Sequence, residues 1–267
     1  MKSRKGGAHL PQGPIIVAAV RSYSHVAATA AMWVLAVGTA VASARYFFMM
    51  PRLLLRGEIL ALSRHHTWIL AHIACGIVAI SLGLFQFIGE LRDAHPLVHR
   101  ATGYGYLSAV FVAGCIALGL SSDTPVFAAD GLADLTTVDL SFLGLSPSFL
   151  GYSASSRFSA SQFFLVRIGF TTLAILWLVT GAIAFVRARQ GRFDEHRAWM
   201  MRNYSLTFAA ATVRLAGFPF LVLTRDPVVA ITCAFWSWIL NLMVVEWMIR
   251  RKSYSSRFKG RSVSRLI

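Results

Sequence analysis

Six apolar stretches follow one another along the chain, each about as long as a membrane-crossing helix, with polar segments between them. A helix needs roughly 20 predominantly apolar residues to cross the hydrocarbon core of a bilayer. The pattern therefore predicts an all-α, polytopic membrane protein built as a bundle of six transmembrane helices. The predicted spans cover residues 25–48, 67–88, 99–120, 162–186, 196–223 and 228–249.

The segments outside the spans are polar and define the predicted domain organisation. We predict a basic N-terminal tail over residues 1–24, a transmembrane domain over 25–249 and a basic tail over 250–267. The connection 121–161 carries four aspartates but a single basic residue, Arg157. Because it is the long connection and is poor in positive charge, we predict that it is an outer loop.

Composition supports a membrane protein over a soluble one. Hydrophobic residues make up 56 % of the chain and charged residues only 14 %, whereas a soluble domain is about 25 % charged. The cysteines Cys75, Cys115 and Cys233 all lie within apolar runs, so no disulfide framework is expected.

The basic residues are distributed unevenly between the two predicted sides of the membrane. With the N-terminus inside, eighteen lie in inner segments and five in outer ones. This positive-inside bias predicts cytoplasmic termini, and we expect the inner membrane of a bacterial cell. The net charge of +15 therefore indicates anionic lipid headgroups as partners of the basic tails, and no nucleic acid.

Two of the predicted spans carry polar residues along one face. In the fifth span the residues of this face lie within roughly 40° of one line along the helix, at 100° per residue. In the second span the residues at helical spacing are small or polar. Ionisable residues at this depth are costly and usually face a bundle interior or a cavity. The two faces comprise His196, Met200, Asn203, Thr207 and Arg214, and His72, Gly76, Ala79, Gly83 and Gln86.

His99 and His196 open the third and fifth spans on the same predicted side, and an arginine follows each of them. Haem iron takes histidine imidazole as an axial ligand, and arginines neutralise haem propionates through charge-assisted hydrogen bonds. The leading hypothesis is therefore a redox or electron-transfer protein that binds haem b, with these two histidines on the iron. The other reading of both histidines is interfacial, at helix starts or lipid headgroups.

A second polar site is predicted in the outer half, where Arg167, Arg214 and His72 lie. An anionic or carbonyl-bearing ligand, such as a quinone, a lipid or a haem propionate, would satisfy the two cations. Alternatively, Arg167 reaches the membrane surface and Arg214 is satisfied within the bundle. Asn241 and Glu246 in the sixth span add polar groups, and we expect Glu246 to form a salt bridge with an arginine.

Two other classes of function remain open. A small-molecule or ion transporter would line its path with His72, Gln86, Asn203, Thr207 and Arg214, and a non-catalytic scaffold would need no such path. No nucleophile elbow, phosphate-binding loop or zinc-protease signature is present, so catalytic residues and enzymatic activity stay open.

Two sequence blocks resemble a known family. The first, HRAWMMRNY over 196–204 with Arg214, fits the pattern HRxWMxRxY…R, and the second, NLMVVEW over 241–247, fits NLxxxEW. Together with His72 and His99, they resemble an uncharacterised bacterial family of predicted membrane proteins. The resemblance implies a multi-span membrane domain without an assigned activity. The layout is only loosely similar to cytochrome b561-type bundles, because paired histidines along single helices are missing.

Overall fold

The computed structural model describes residues 13–48, 56–122, 160–224 and 236–263, and this part of the chain is all-helical. The predicted outer loop lies almost entirely outside the described residues, as does the start of the sixth predicted span. The helices are α1 Gly13–Phe48, α2 Arg56–Phe85, α3 Gly89–Ala94, α4 Pro96–Ser122, α5 Ala160–Arg189, α6 Phe193–Thr207, α7 Ala209–Thr224 and α8 Trp238–Val263.

Among the described residues, four helices are long and apolar enough to cross a membrane. They are Val26–Phe48, Thr67–Phe85, Pro96–Ser121 and Arg167–Arg189. These segments agree with the first four predicted spans to within a few residues. The fifth and sixth predicted spans are not among them.

Helix boundaries depart from the predicted polar segments at both ends of the chain. Helix α1 already begins at Gly13 and α2 at Arg56, within the predicted N-terminal tail and the predicted connector. Helix α8 continues to Val263, so most of the predicted C-terminal tail is helical. Arginine and lysine are good helix formers, so a change from apolar to basic composition marks a change of environment, and the helix can continue through it.

The prediction of one continuous fifth helix is wrong. The segment 196–223 is divided between α6 and α7, and Phe208 forms a turn between them. Side-chain hydroxyls bond back to the backbone on both sides of the turn: Thr207 Oγ1 contacts Asn203 O at 3.2 Å, and Thr212 Oγ1 contacts Phe208 O at 3.1 Å. Such bonds compete with the helical ladder and bend helices.

The bundle packs in a defined order, with α4 between α2 and α5, and α6 between α5 and α8. Small residues lie where the helices meet: Ala79, Ala113 and Ala184 are fully buried. Small side chains let helix backbones approach closely inside a membrane. Tyr106 and Asn203 are also fully buried, which places polar groups at the centre of the bundle.

Candidate functional site

Two cavities lie at different levels of the bundle. The larger, of about 740 Å³, is formed where α4 and α6 begin and α5 ends, and we call it the histidine-pair cavity. The smaller, of about 260 Å³, lies among α1, α2, α4, α5, α6 and α7, and we call it the His72 cavity. The lining of the larger includes Gln86, His99, Gly103, Tyr104, Phe185, His196 and Met200. The lining of the smaller includes Thr39, Ser43, His72, Gly76, Phe170, Trp177, Thr207 and Arg214.

The histidine-pair cavity receives one imidazole from each of two helices. The turn that ends α5 contains Gly191 at φ 70°, a left-handed conformation that suits glycine and lets α6 return beside α5. Consequently His196 Nδ1 lies 2.8 Å from Ala184 O. A carbonyl oxygen only accepts, so Nδ1 carries the proton and Nε2 of the neutral ring has a lone pair. His99 Nδ1 is buried and has no hydrogen-bond partner within the described residues.

Four guanidinium groups line the same cavity. Arg92 and Arg100 come from the side of α3 and α4, and Arg189 and Arg197 from the side of α5 and α6. Asp194 is the acidic residue in this lining. The excess of positive charge fits a ligand that carries carboxylate or phosphate groups.

Ion pairs lie at the rim of the histidine-pair cavity, outside the spanning segments. Arg92 Nε donates to Asp93 Oδ1 at 2.9 Å, and this hydrogen bond holds the pKa of Asp93 below its usual value. Arg187 pairs with Glu195 at 3.1 Å, and Arg192 also donates to Glu195. Asp93 neutralises Arg92, but Arg100, Arg189 and Arg197 remain in the lining against the single acid Asp194, so the lining stays cationic.

A polar network separates the two cavities; it consists of Tyr106, Trp177, Thr180, Asn203 and Thr207. The Tyr106 hydroxyl donates to Asn203 Oδ1 at 2.5 Å and lies 2.9 Å from Thr207 Oγ1. Trp177 Nε1 donates to Thr207 Oγ1 at 2.8 Å. Asn203 Nδ2 donates to Trp177 O at 2.6 Å and to Thr180 Oγ1 at 2.8 Å. The network ties α4, α5 and α6 together with paired groups, as buried polar atoms require.

The His72 cavity has polar groups on two walls. His72 Nδ1 lies 3.0 Å from Ala113 O, which makes Nδ1 the donor and leaves Nε2 as an acceptor. On the other wall, Arg214 Nη1 donates to Ala210 O at 2.7 Å and Nη2 donates to Ser43 Oγ at 3.2 Å. The His72 imidazole therefore accepts, and the guanidinium donates.

The structure separates polar residues that the sequence pattern had grouped together. Gln86 lies in the turn after α2, lines the histidine-pair cavity and donates to Thr102 Oγ1 at 2.8 Å. His72, from the same predicted face, lines the other cavity, and Ala79 and Gly83 between them are buried in helix contacts. The predicted face of the fifth span is likewise divided, because the polar network lies between its two ends.

Besides Asn203 in the polar network, three predicted residues line neither cavity. Arg167 is half-buried and lines neither of them. Asn241 Nδ2 donates to Ser205 O at 3.1 Å, beside the turn between α6 and α7. Glu246 pairs with Arg202 at 2.9 Å, which is the expected salt bridge.

Sequence reasoning missed the roles of Trp177 and Thr180. Both lie on α5 and belong to the polar network. A signal was present, since Trp177, Thr180, Gly181 and Ala184 repeat at helical spacing on one face of the fourth span. That face is small or polar, which indicates a close helix contact with hydrogen bonds across it.

Long apolar helices, a buried polar network and two internal cavities define the class as a polytopic helical membrane protein. The family model described as "Predicted membrane protein (DUF2306)" matches residues 69–149 and 142–249. Together these segments cover more than half of the chain, so the protein belongs to this family of unknown function. No curated protein and no solved structure matches the chain.

Proposed function

We propose that the protein binds haem b in the histidine-pair cavity and transfers electrons, in a bacterial inner membrane with both termini in the cytoplasm. The observation that carries the proposal is the convergence of His99 and His196, from two helices, on one cavity of about 740 Å³. Bis-histidine sites take their two ligands in this way, and transmembrane bundles build cofactor sites from facing helices.

The donor set of the cavity fits the iron of a haem. His196 donates from Nδ1 to a backbone carbonyl, which is the usual outer contact of a metal-bound histidine, and its Nε2 would be the ligand atom. Within the described part of the chain, the buried Nδ1 of His99 has no hydrogen-bond partner, and a bound group would satisfy it. When bound, the haem would supply one-electron chemistry.

The rest of the lining fits the periphery of a haem. Tyr104, Leu107 and Phe185 offer apolar contact to a flat macrocycle. The arginines on the same lining would pair with the propionates. The residues of the chain would thus bind the cofactor, orient it and set its potential through charge.

The test is an optical spectrum of the detergent-purified protein, oxidised and then reduced with dithionite, after expression with haem supplied. Sharp reduced bands that both His99→Ala and His196→Ala abolish are the expected result. The matched control is His95→Ala, because His95 is exposed one turn from His99 and does not line the cavity. A folded, colourless wild-type protein would overturn the proposal.

The second candidate is a carrier of small anions, favoured by two cavities at different levels with a polar network between them. A carrier binds its substrate in a cavity and must open the closed region, here the polar network, that separates this cavity from the other side of the membrane. Proteoliposome uptake of radiolabelled anions would test this function. Uptake that Arg100→Gln reduces and Arg250→Gln does not would favour the carrier, because Arg250 lies outside the cavity on α8. If the protein binds no haem and transports no anion, a non-catalytic scaffold is the remaining class of function.

A further inference from the structure

The His72 cavity is large enough for a ring and is mostly apolar. Phe170 and Trp177 supply aromatic surface, and Ile73, Ile77 and Leu173 supply aliphatic surface. Small-molecule sites are typically apolar cavities with a few polar groups that orient the guest. The polar groups of this cavity therefore indicate which guest it accepts.

One wall of the cavity recognises a hydrogen-bond donor. His72 uses Nδ1–H for Ala113 O at 3.0 Å, so the lone pair of Nε2 remains as the acceptor of the ring. A hydroxyl group satisfies such an acceptor. A carboxylate or a phosphodiester group does not, because it carries lone pairs and no proton.

The other wall recognises an oxygen acceptor. The Arg214 guanidinium holds only donors and is oriented by Ala210 O and Ser43 Oγ. Thr39 and Ser43 add two buried hydroxyls from α1. An oxygen atom with lone pairs is the group that this wall binds.

We propose that the His72 cavity binds the head group of a quinol, one hydroxyl donating to His72 Nε2 and an oxygen of the ring accepting from the wall that holds Arg214. A lipid acyl chain has neither oxygen, and a free fatty acid places a carboxylate where His72 requires a donor. The proposal concerns binding and holds whether or not haem occupies the other cavity.

Binding is measured by titration calorimetry on the detergent-purified full chain, with trimethylhydroquinone in degassed buffer as the probe. The expected result is saturable binding by the wild type. Trimethylbenzene has the same shape without the oxygens, and its affinity should be lower by roughly tenfold or more, since each lost buried hydrogen bond is worth about 1 kcal/mol. Equal affinity of the two probes would overturn the proposal.

Two variants test the cavity itself. His72→Leu removes the acceptor and should weaken binding of the hydroquinone roughly tenfold. Gly76→Leu fills the cavity, and it should fold because a Cβ at Gly76 meets nothing within 4 Å. Gly76→Leu should abolish binding of the hydroquinone, so this variant tests the His72 cavity even if His72→Leu does not fold.

The matched control is Gly38→Leu. A Cβ at Gly38 also meets nothing within 4 Å, but this residue is exposed on α1 and does not line the cavity. It should bind the hydroquinone like the wild type. Equal binding by Gly76→Leu and Gly38→Leu would overturn the proposal, and so would stronger binding of oleate than of the hydroquinone. Because the assay does not read haem absorbance, its outcome is independent of the spectrum of the histidine-pair cavity.

Discussion

At the scale of single residues, the centre of the bundle depends on a polar side chain. Asn203 is fully buried and uses both ends of its amide, accepting from Tyr106 and donating to Trp177 O and Thr180 Oγ1. A buried polar group costs free energy unless its bonds are made. Here the partners come from α4 and α5 while Asn203 lies on α6, so the amide specifies how these three helices pack.

Asn203→Ala should therefore destabilise the protein. It leaves the Tyr106 hydroxyl and Thr180 Oγ1 without this partner, and we expect a loss of about 1–3 kcal/mol in the free energy of unfolding. The measurement is reversible denaturation in mixed detergent. Thr171→Val is the control, because among the described residues the Thr171 hydroxyl bonds to Arg167 O within its own helix at 2.9 Å and to no other helix. A stability of Asn203→Ala equal to that of Thr171→Val would contradict this account of the network.

Gly83 illustrates a position where a single methyl group matters. A Cβ there would overlap the Tyr204 ring and lie 2.9 Å from Tyr106 Cε2. We expect Gly83→Ala to cost about 1–3 kcal/mol through overpacking. Gly76→Ala, on the same helix, meets nothing within 4 Å and should gain about 0.5–1 kcal/mol from helix propensity. Thermal unfolding in detergent compares the two, and the explanation fails if both substitutions have the same sign.

At the scale of elements, the apolar pattern predicted helices well and their interruptions poorly. Kinks are most often found at proline or glycine, and neither residue is present at Phe208, where α6 ends. The signal lay in the hydroxyl residues around it, because Thr207 and Thr212 both bond back to the backbone. The other determinant, Asn241, is contributed by a helix distant in sequence, and no local pattern shows it.

The turn between α6 and α7 is stabilised by α8. Asn241 Nδ2 donates to Ser205 O at 3.1 Å and to Thr212 Oγ1 at 2.8 Å, so one amide bridges the two helices. A carbonyl at a helix end needs such a partner when water is excluded. The interruption is therefore a tertiary feature of the bundle.

Asn241→Leu should loosen this turn. The substitution removes both bonds, and we expect a loss of about 1–3 kcal/mol in stability. Amide hydrogen exchange in detergent should be faster in the peptides that cover 205–212, with little change in α4. The control is Met243→Leu, because Met243 is exposed on the same helix. Unchanged exchange at 205–212 would show that the turn does not depend on the Asn241 amide.

At the scale of the whole molecule, the sequence pattern does not show how the polar residues divide between cavities. His99 and His196 were predicted to lie at the same end of the bundle, and both line one cavity, while their role as haem ligands stays a prediction. His72 and Gln86 were grouped on one helical face, yet the contact through Ala79 and Gly83 divides that face between two cavities. Periodicity along one helix cannot show where a neighbouring helix closes the space, since that depends on packing among several helices.

The orientation of the molecule is a prediction from charge, and thiol accessibility can test it. Four apolar helices fit a membrane by length and composition among the described residues. The short helices α6 and α7 must then cross together as one interrupted span if there are six crossings. In that case the C-terminal ends of α3, α5 and α8 lie on one side of the membrane. The residues that follow α4 and α7 lie on the other side.

Single cysteines placed in a chain with Cys75, Cys115 and Cys233 replaced by alanine should separate into two groups. Asp93→Cys, Gln190→Cys and Ser264→Cys should react with an impermeant maleimide in inside-out vesicles, because the positive-inside bias predicts that the basic segments face the cytoplasm. Asp130→Cys and Asp226→Cys should react in right-side-out vesicles. Labelling of Asp226→Cys on the same side as Gln190→Cys would mean that α6 and α7 enter and return on one side. The arrangement with six crossings would then be wrong, and the haem proposal would be unaffected.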